Sequence, residues 1–161
     1  MASRIAKLTI VLALFLCGTH AVAQDPRPYG PPVGVEDARK VAAAAVAAAK
    51  KNNWLMAVAV VDPSGTLVYY EKMDNTQTGS AQVAIDKART SALFKRPSKA
   101  FEDLLAGGGN GLRFLGLPGA MPIGGGIPLI INNQIIGAIG VSGDSSDHDA
   151  ICAQAGASVI K

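Results

Sequence analysis

Apolar residues fall along the chain in two rhythms, one with no polar alternation and one with a period near 3.6. The first is clearest at Ile127 to Ile131 and Gln134 to Val141, two β-branched runs of strand length separated by Asn132-Asn133. Asparagine tolerates positive φ, so the pair predicts a two-residue type I′ turn and a hairpin. The unbroken apolar character predicts that both faces are covered and that both strands are central. A second hairpin is predicted from the apolar run Met56 to Asp62, the turn residues Pro63-Ser64-Gly65 and the β-branched and aromatic run Thr66 to Lys72.

The helical rhythm runs through Val35, Ala38, Val41, Ala42, Ala45, Val46 and Ala49, with Glu36-Asp37 and Lys50-Lys51 at the ends that suit the helix dipole. It predicts a helix from Val35 to Lys51. Val83, Ala84, Ala88, Ala92 and Leu93 predict another from Ser80, its expected cap, to Phe94. Pro97 interrupts, and Ser98 is expected to cap a short third helix ending before Gly107-Gly108-Gly109. Residues 107–126 are the least regular stretch, with a short strand expected near Phe114 to Leu117. The last helix is expected over Ser146 to Ile160, with Ile151, Ala155 and Val159 on its apolar face and caps offered by Asp144-Ser145-Ser146. The order α-ββ-αα-ββ-α predicts the α+β class: a single domain with an antiparallel four- to five-stranded sheet covered by helices.

Composition changes this picture at the N-terminus. Arg4 and Lys7, the apolar stretch Leu8 to Leu16 and Ala21-Val22-Ala23 have the layout of a secretory signal peptide over residues 1–23. The apolar stretch is shorter than the roughly 20 residues a membrane span needs, so no stable membrane insertion is expected after cleavage. Residues 24–34 hold Pro26, Pro28, Pro31 and Pro32 and form a Pro-rich leader, which leaves 35–161 as the domain. Export predicts a periplasmic or secreted protein. Removing Arg4 and Lys7 from the 15 basic residues leaves 13 against 12 acidic ones, a net charge of +1 that gives no reason to expect a nucleic-acid partner. Beyond the signal only Cys152 remains, so no internal disulfide can form and packing must supply stability.

Chemistry is sparser. Gly124, Gly125 and Gly126, with Gly137, Gly140 and Gly143, allow either tight backbone packing or the approach of a flat ligand. Neither three-glycine run ends in the Gly-Lys-Ser/Thr of a phosphate loop. Gly140-Val141-Ser142-Gly143 joins a strand to a helix, where free N–H groups suit an ordinary cap or an anion. A Ser-His-Asp triad would have to use His148, and no Gly-x-Ser-x-Gly elbow accompanies it. Asp147-His148-Asp149 cannot converge on one ion, because consecutive helical side chains point about 100° apart. Lys87 and Arg96, with Arg89, Lys95 and Lys99 nearby, form either a solvated basic face or a grip on ligand carboxylates. Tyr69, Tyr70, Met73 and Met121 are potential haem-iron ligands, with core packing as the ordinary alternative.

Several separated motifs resemble one family. Ala57-Val58-Ala59-Val60-Val61-Asp62-Pro63-Ser64-Gly65, Met73-Asp74, Ala84-Ile85-Asp86-Lys87-Ala88-Arg89-Thr90, Pro122-Ile123-Gly124-Gly125-Gly126-Ile127-Pro128 and Gly137-Ala138-Ile139-Gly140-Val141-Ser142-Gly143 look like the GlcG/HbpS family, also called the haem-degrading domain family. The resemblance covers nearly all of residues 35–160. It implies an α+β domain that forms homo-oligomers, with haem bound by some secreted members and related domains attached to corrinoid enzymes. On this basis the expected cofactor is haem, lying between the Gly124 to Gly126 loop and the second helix. Lys87 and Arg96 are then the propionate candidates, and Met73, Thr90, Met121 or His148 the iron-side candidates. The resulting expectation is an exported haem-binding or haem-sensing protein. The other reading is an enzyme or enzyme accessory acting on a small carboxylate or on haem, for which no flavin or nicotinamide motif is visible.

Overall fold

The computed structural model describes residues 25–160, so the expected signal at 1–23 lies outside the described residues. Its elements are α1 (Val35–Lys51), β1 (Ala57–Val61), β2 (Leu67–Lys72), α2 (Ser80–Leu93), α3 (Lys99–Ala106), a 3-10 helix (Gly109–Gly116), β3 (Gly126–Ile131), β4 (Gln134–Ser142) and α4 (Ser146–Ala157). The four strands form one antiparallel sheet in the order β2-β1-β4-β3. This is the α+β domain that the sequence order predicts.

Side-chain size sorts the two faces of the sheet. Val58, Val60, Ile139 and Val141 point to one face and form the main core with α1 and α4. Ala57, Ala59 and Ala138 point to the other, against Ala84, Ala88 and Ala92 of α2. Small residues on both sides let α2 lie very close to the sheet: a β-carbon added at Gly140 would sit 2.1 Å from the Ala84 carbonyl oxygen, and one at Gly126 only 2.2 Å from that of Lys87. The sheet is therefore covered on both faces, and the apolar runs lack polar alternation for that reason.

Coverage of both faces does not make both strands central. β4 is central, but β3 is an edge strand. Pro128, which has no N–H to donate, fits that position. Asn132 and Asn133 have φ of 49° and 61°, as the type I′ turn requires.

Three local expectations are corrected. Of the stretch expected as a strand near Phe114 to Leu117, Phe114 to Gly116 close the 3-10 helix and Leu117 follows it; Gly108 and Gly109, at its start, take positive φ and turn the chain tightly. Ser80 is the first residue of α2 rather than its cap, and Ser98, though at the start of α3, makes no capping bond. α4 ends at Ala157, short of the expected Ile160; Ile151 within it and Val159 beyond it are exposed, while Asp149, Cys152, Ala153 and Gly156 face inward. The inner face includes Asp149 because that carboxylate has an internal partner in Lys87.

The leader is part of the fold. Pro28 accepts from the Ile135 N–H at 3.0 Å, Gly30 donates to the Ile135 carbonyl at 2.9 Å, and Val33 donates to that of Ile136 at 2.8 Å and is buried. The strap continues the pairing of β4 beyond the end of β1.

Candidate functional site

Two regions answer to the expected chemistry, and they are separate. The first is the Gly124 to Gly126 loop. Lys87 leaves α2 and meets Asp149 of α4 at 2.6 Å, with both side chains 2% exposed. Since α2 and α4 cover opposite faces, this ion pair ties the two layers together beside Gly125, whose added β-carbon would lie 2.8 Å from Asp149 and 3.1 Å from the Lys87 ammonium. Burial pushes the Asp149 carboxyl above the ordinary aspartate range, against the pull of Lys87 and the N–H groups of Asp144 and Gly143. Glu102 of α3 accepts from the Gly124 N–H and, at 3.1 Å, from the Ser146 hydroxyl. Partial burial raises its pKa, but these donors and Lys99 outweigh that and hold it below the usual carboxylate range. Ser98 Oγ accepts from the Gly126 N–H at 2.8 Å and donates to the Ile123 carbonyl at 2.7 Å.

These contacts fill the space expected to hold haem. Gly125 and Gly126 have no side chains because Lys87, Asp149 and the α2 backbone occupy that volume, so tight packing is the correct reading of these two glycines. Lys87 is not on a basic surface. Thr90 is fully buried: its hydroxyl accepts from the Met121 N–H at 2.7 Å and donates to the Asp86 carbonyl at 2.7 Å.

The iron-side candidates do not converge. Met121 borders a cavity with Asp86 and Arg89, whereas Met73 borders another with Lys50 and Glu71. The Met73 sulfur accepts from the Met56 N–H at 3.5 Å. His148 stacks on Trp54 with ring centroids 3.9 Å apart, and its Nδ1 lies 3.1 Å from Asp144. Burial raises the phenol pKa of Tyr69 and of Tyr70, which keeps both protonated and disfavours phenolate ligation. The Cys152 thiol is pushed up to about 11, chiefly by burial, and is therefore not a neutral-pH nucleophile. Among the described residues no group of three or more His, Cys, Asp or Glu side chains is placed to hold a metal ion.

The second region is a cavity of about 580 Å³ along the outer edge of β3, and it contains Arg96. Ile127, Pro128 and Ile130 supply an apolar wall, Arg96 and Lys95 come from the α2–α3 connection, and Arg27 with Asp25 comes from the strap. Lys95 Nζ donates to the Arg27 carbonyl at 2.9 Å and lies over the Tyr29 ring at 4.3 Å. The volume is in the ordinary range for small-molecule sites, and apolar walls with a few cations suit an apolar body carrying carboxylates. Among the described residues no histidine, methionine, cysteine or tyrosine lines it. Among the described residues, the cavity thus suits an apolar body that carries carboxylates, and its lining holds no imidazole, thioether, thiol or phenol.

Sequence reasoning passed over Glu102 and Arg27, and weighed Asp149 only as a metal ligand beside His148. For Lys87 a signal existed: it falls on the buried face of α2 with Ser80, Ala84, Ala88 and Ser91, so an internal carboxylate had to be sought. Arg27 carried no such signal, because nothing in a Pro-rich leader says where it docks.

A one-domain α+β fold with a four-stranded antiparallel sheet, an inter-layer ion pair and an edge cavity is the structural class defined so far. Comparison with known proteins makes it specific. Residues 33–158 match the family described as "Haem degrading protein HbpS-like", and the chain belongs to that family. It is 37% identical to Protein GlcG of Escherichia coli K12 over 108 residues, 65% of this chain and 79% of that protein. Among solved structures, a double mutant of Streptomyces reticuli HbpS aligns with TM-score 0.75 and 28% identity, covering 100% of this chain and 99% of that one. A PduOC chain solved as a haem complex aligns with TM-score 0.72 and 26% identity, covering 81% of this chain and 96% of that one.

Proposed function

We propose that the protein is an exported haem-binding or haem-sensing protein that holds the porphyrin in the β3-edge cavity by its body and propionates. The observation that carries this reading is the cavity itself, where Ile127, Pro128 and Ile130 face a space bordered by Arg27, Lys95 and Arg96. Membership of the HbpS-like family and the haem complex of PduOC support haem as the ligand class. A lining without histidine, methionine, cysteine or tyrosine among the described residues favours retention or sensing over turnover, which would need electrons delivered to ligated iron.

Titration of the purified protein with ferric haem and with metal-free protoporphyrin tests this. Both should bind with affinities within about tenfold of each other, since apolar burial and charge-assisted bonds supply the energy and iron does not. Haem binding without porphyrin binding would move the ligand to an iron-ligating place elsewhere. Failure of both would remove the haem reading and favour a small carboxylate. Loss of the Soret band on adding a reductant would identify turnover.

Export rests on the layout of residues 1–23, and an exported chain beginning at Gln24 is the mass-spectrometric expectation; retention of Met1 would refute it. Homo-oligomer formation is supported by the exposed Leu104, Leu112 and Leu115 on α3 and the 3-10 helix. Light scattering that gave a monomer's mass would refute it.

A further inference from the structure

We propose that Arg27 grips a ligand carboxylate in the β3-edge cavity and that Asp25 is the internal carboxylate this ligand displaces. The inference rests on the reading of that cavity as the binding site. Arg27 is held in place on three sides. Its Nε donates to Asn133 Oδ1 at 3.0 Å, its carbonyl accepts from Lys95, and the next residue, Pro28, accepts from the Ile135 N–H. One residue further, the Tyr29 hydroxyl donates to the Ala92 carbonyl at 2.8 Å. The guanidinium is therefore aimed by the hairpin turn, β4 and α2 together, which is the pre-organisation that bidentate carboxylate recognition uses.

Its remaining donors are only partly used. Nη1 donates to Asp25 Oδ2 at 2.8 Å, and among the described residues Nη2 has no acceptor. Asp25 reaches Arg27 from two residues away, and its other carboxylate oxygen accepts the Arg27 N–H at 2.9 Å. Among the described residues Asp25 bonds to nothing else. Half-exposed pairs of this kind, here 37% and 23% exposed, hold weakly. A carboxylate carried by an apolar body against Ile127 and Ile130 is less solvated, so its bonds to the same guanidinium are stronger. The cations on this rim, Arg27, Lys95 and Arg96, set the ligand class as an apolar molecule that carries carboxylates.

Ferric haem and its dimethyl ester, titrated into the full exported chain, read out the exchange. Asp25→Asn should tighten haem binding by about twofold to fivefold, because it removes a competitor worth a weak surface ion pair. Arg27→Gln should weaken binding by about tenfold, and in that background Asp25→Asn should no longer tighten it. The ester, which offers no carboxylate, should not respond to Asp25→Asn. Unchanged melting curves establish that each variant is folded. If the parent binds haem but Asp25→Asn does not tighten it, or tightens it equally without Arg27, the exchange is wrong while haem binding stands. If the parent binds no haem, calorimetry with succinate poses the same question: tightening by Asp25→Asn supports the exchange, and absence of binding overturns it together with the cavity reading.

Discussion

Replacing Asp149 by Asn should destabilise the domain by far more than a one-atom change suggests. The substitution keeps shape and one hydrogen-bond acceptor but removes the negative charge 2.6 Å from Lys87, whose side chain is 2% exposed. An ammonium left at that depth has neither water nor a counter-charge. Removing one partner of a buried pair costs about 3–5 kcal/mol. For a domain of this size each kcal/mol moves the melting temperature by about 3–4 °C, so a fall of about 10–20 °C is expected. The assay is urea unfolding followed by Trp54 fluorescence, at fixed protein concentration so that any assembly contributes equally. Lys87→Met alone should also destabilise, by leaving the carboxylate unpaired. The double variant should recover much of the loss, since neither charge remains to be desolvated. A loss below about 1 kcal/mol for Asp149→Asn, or strictly additive losses in the double variant, would refute the view that this pair is a desolvated tie between the layers.

Gly140→Val should lower the urea midpoint by an amount equivalent to about 1–3 kcal/mol or more, since its β-carbon would lie 2.1 Å from the Ala84 carbonyl oxygen and 2.5 Å from the Ala88 nitrogen. Gly79→Ala, where nothing lies within 4 Å, is the control, and equal effects would contradict the close approach of α2. Stability should also fall as pH drops through the depressed pKa of Glu102, because a carboxyl lowered by folding stabilises only while ionised: its contribution is present above the unfolded value and lost below the folded one. Glu102→Gln should flatten that acid limb in a pH series of melting curves, and an unchanged slope would show that the Gly124 contact is not the acid-sensitive one.

The pattern of apolar positions was enough to predict the element order, because helix and strand periods are local properties. It was not enough to place β3, since a strand covered on both faces reads alike at an edge or in the middle, and only Pro128 carried the distinction. The same limit explains α4. Ile151 and Val159 looked like its inner face until Asp149 was known to be held by a residue 62 positions earlier. Ion pairs between distant elements leave no periodic trace. Arg27 and Lys95 meet only because the strap docks on β4, a contact made through backbone groups that every non-proline residue possesses.

The glycine-rich loop drew attention as a binding site for a sound reason, yet the same property serves a different end. Removing side chains at 125 and 126 opens a passage at the start of β3, and in this chain Lys87 and Asp149 occupy it. That occupation has a consequence further along the strand. The Gly125 carbonyl accepts from Val141 at 2.9 Å and the Gly126 N–H donates to Ser98, so the beginning of β3 is fixed to β4 and to the start of α3. An edge strand anchored in this way can present Ile127, Pro128 and Ile130 as a firm wall while its outer side stays open to a ligand. The anchoring chemistry and the binding chemistry therefore share one strand. A ligand-binding defect caused by Gly126→Ala should then appear together with lost stability, whereas one caused by Arg27→Gln should appear alone. If Gly126→Ala weakened haem binding while leaving the melting curve unmoved, the ligand would lie against the loop itself, and the edge cavity would lose its role.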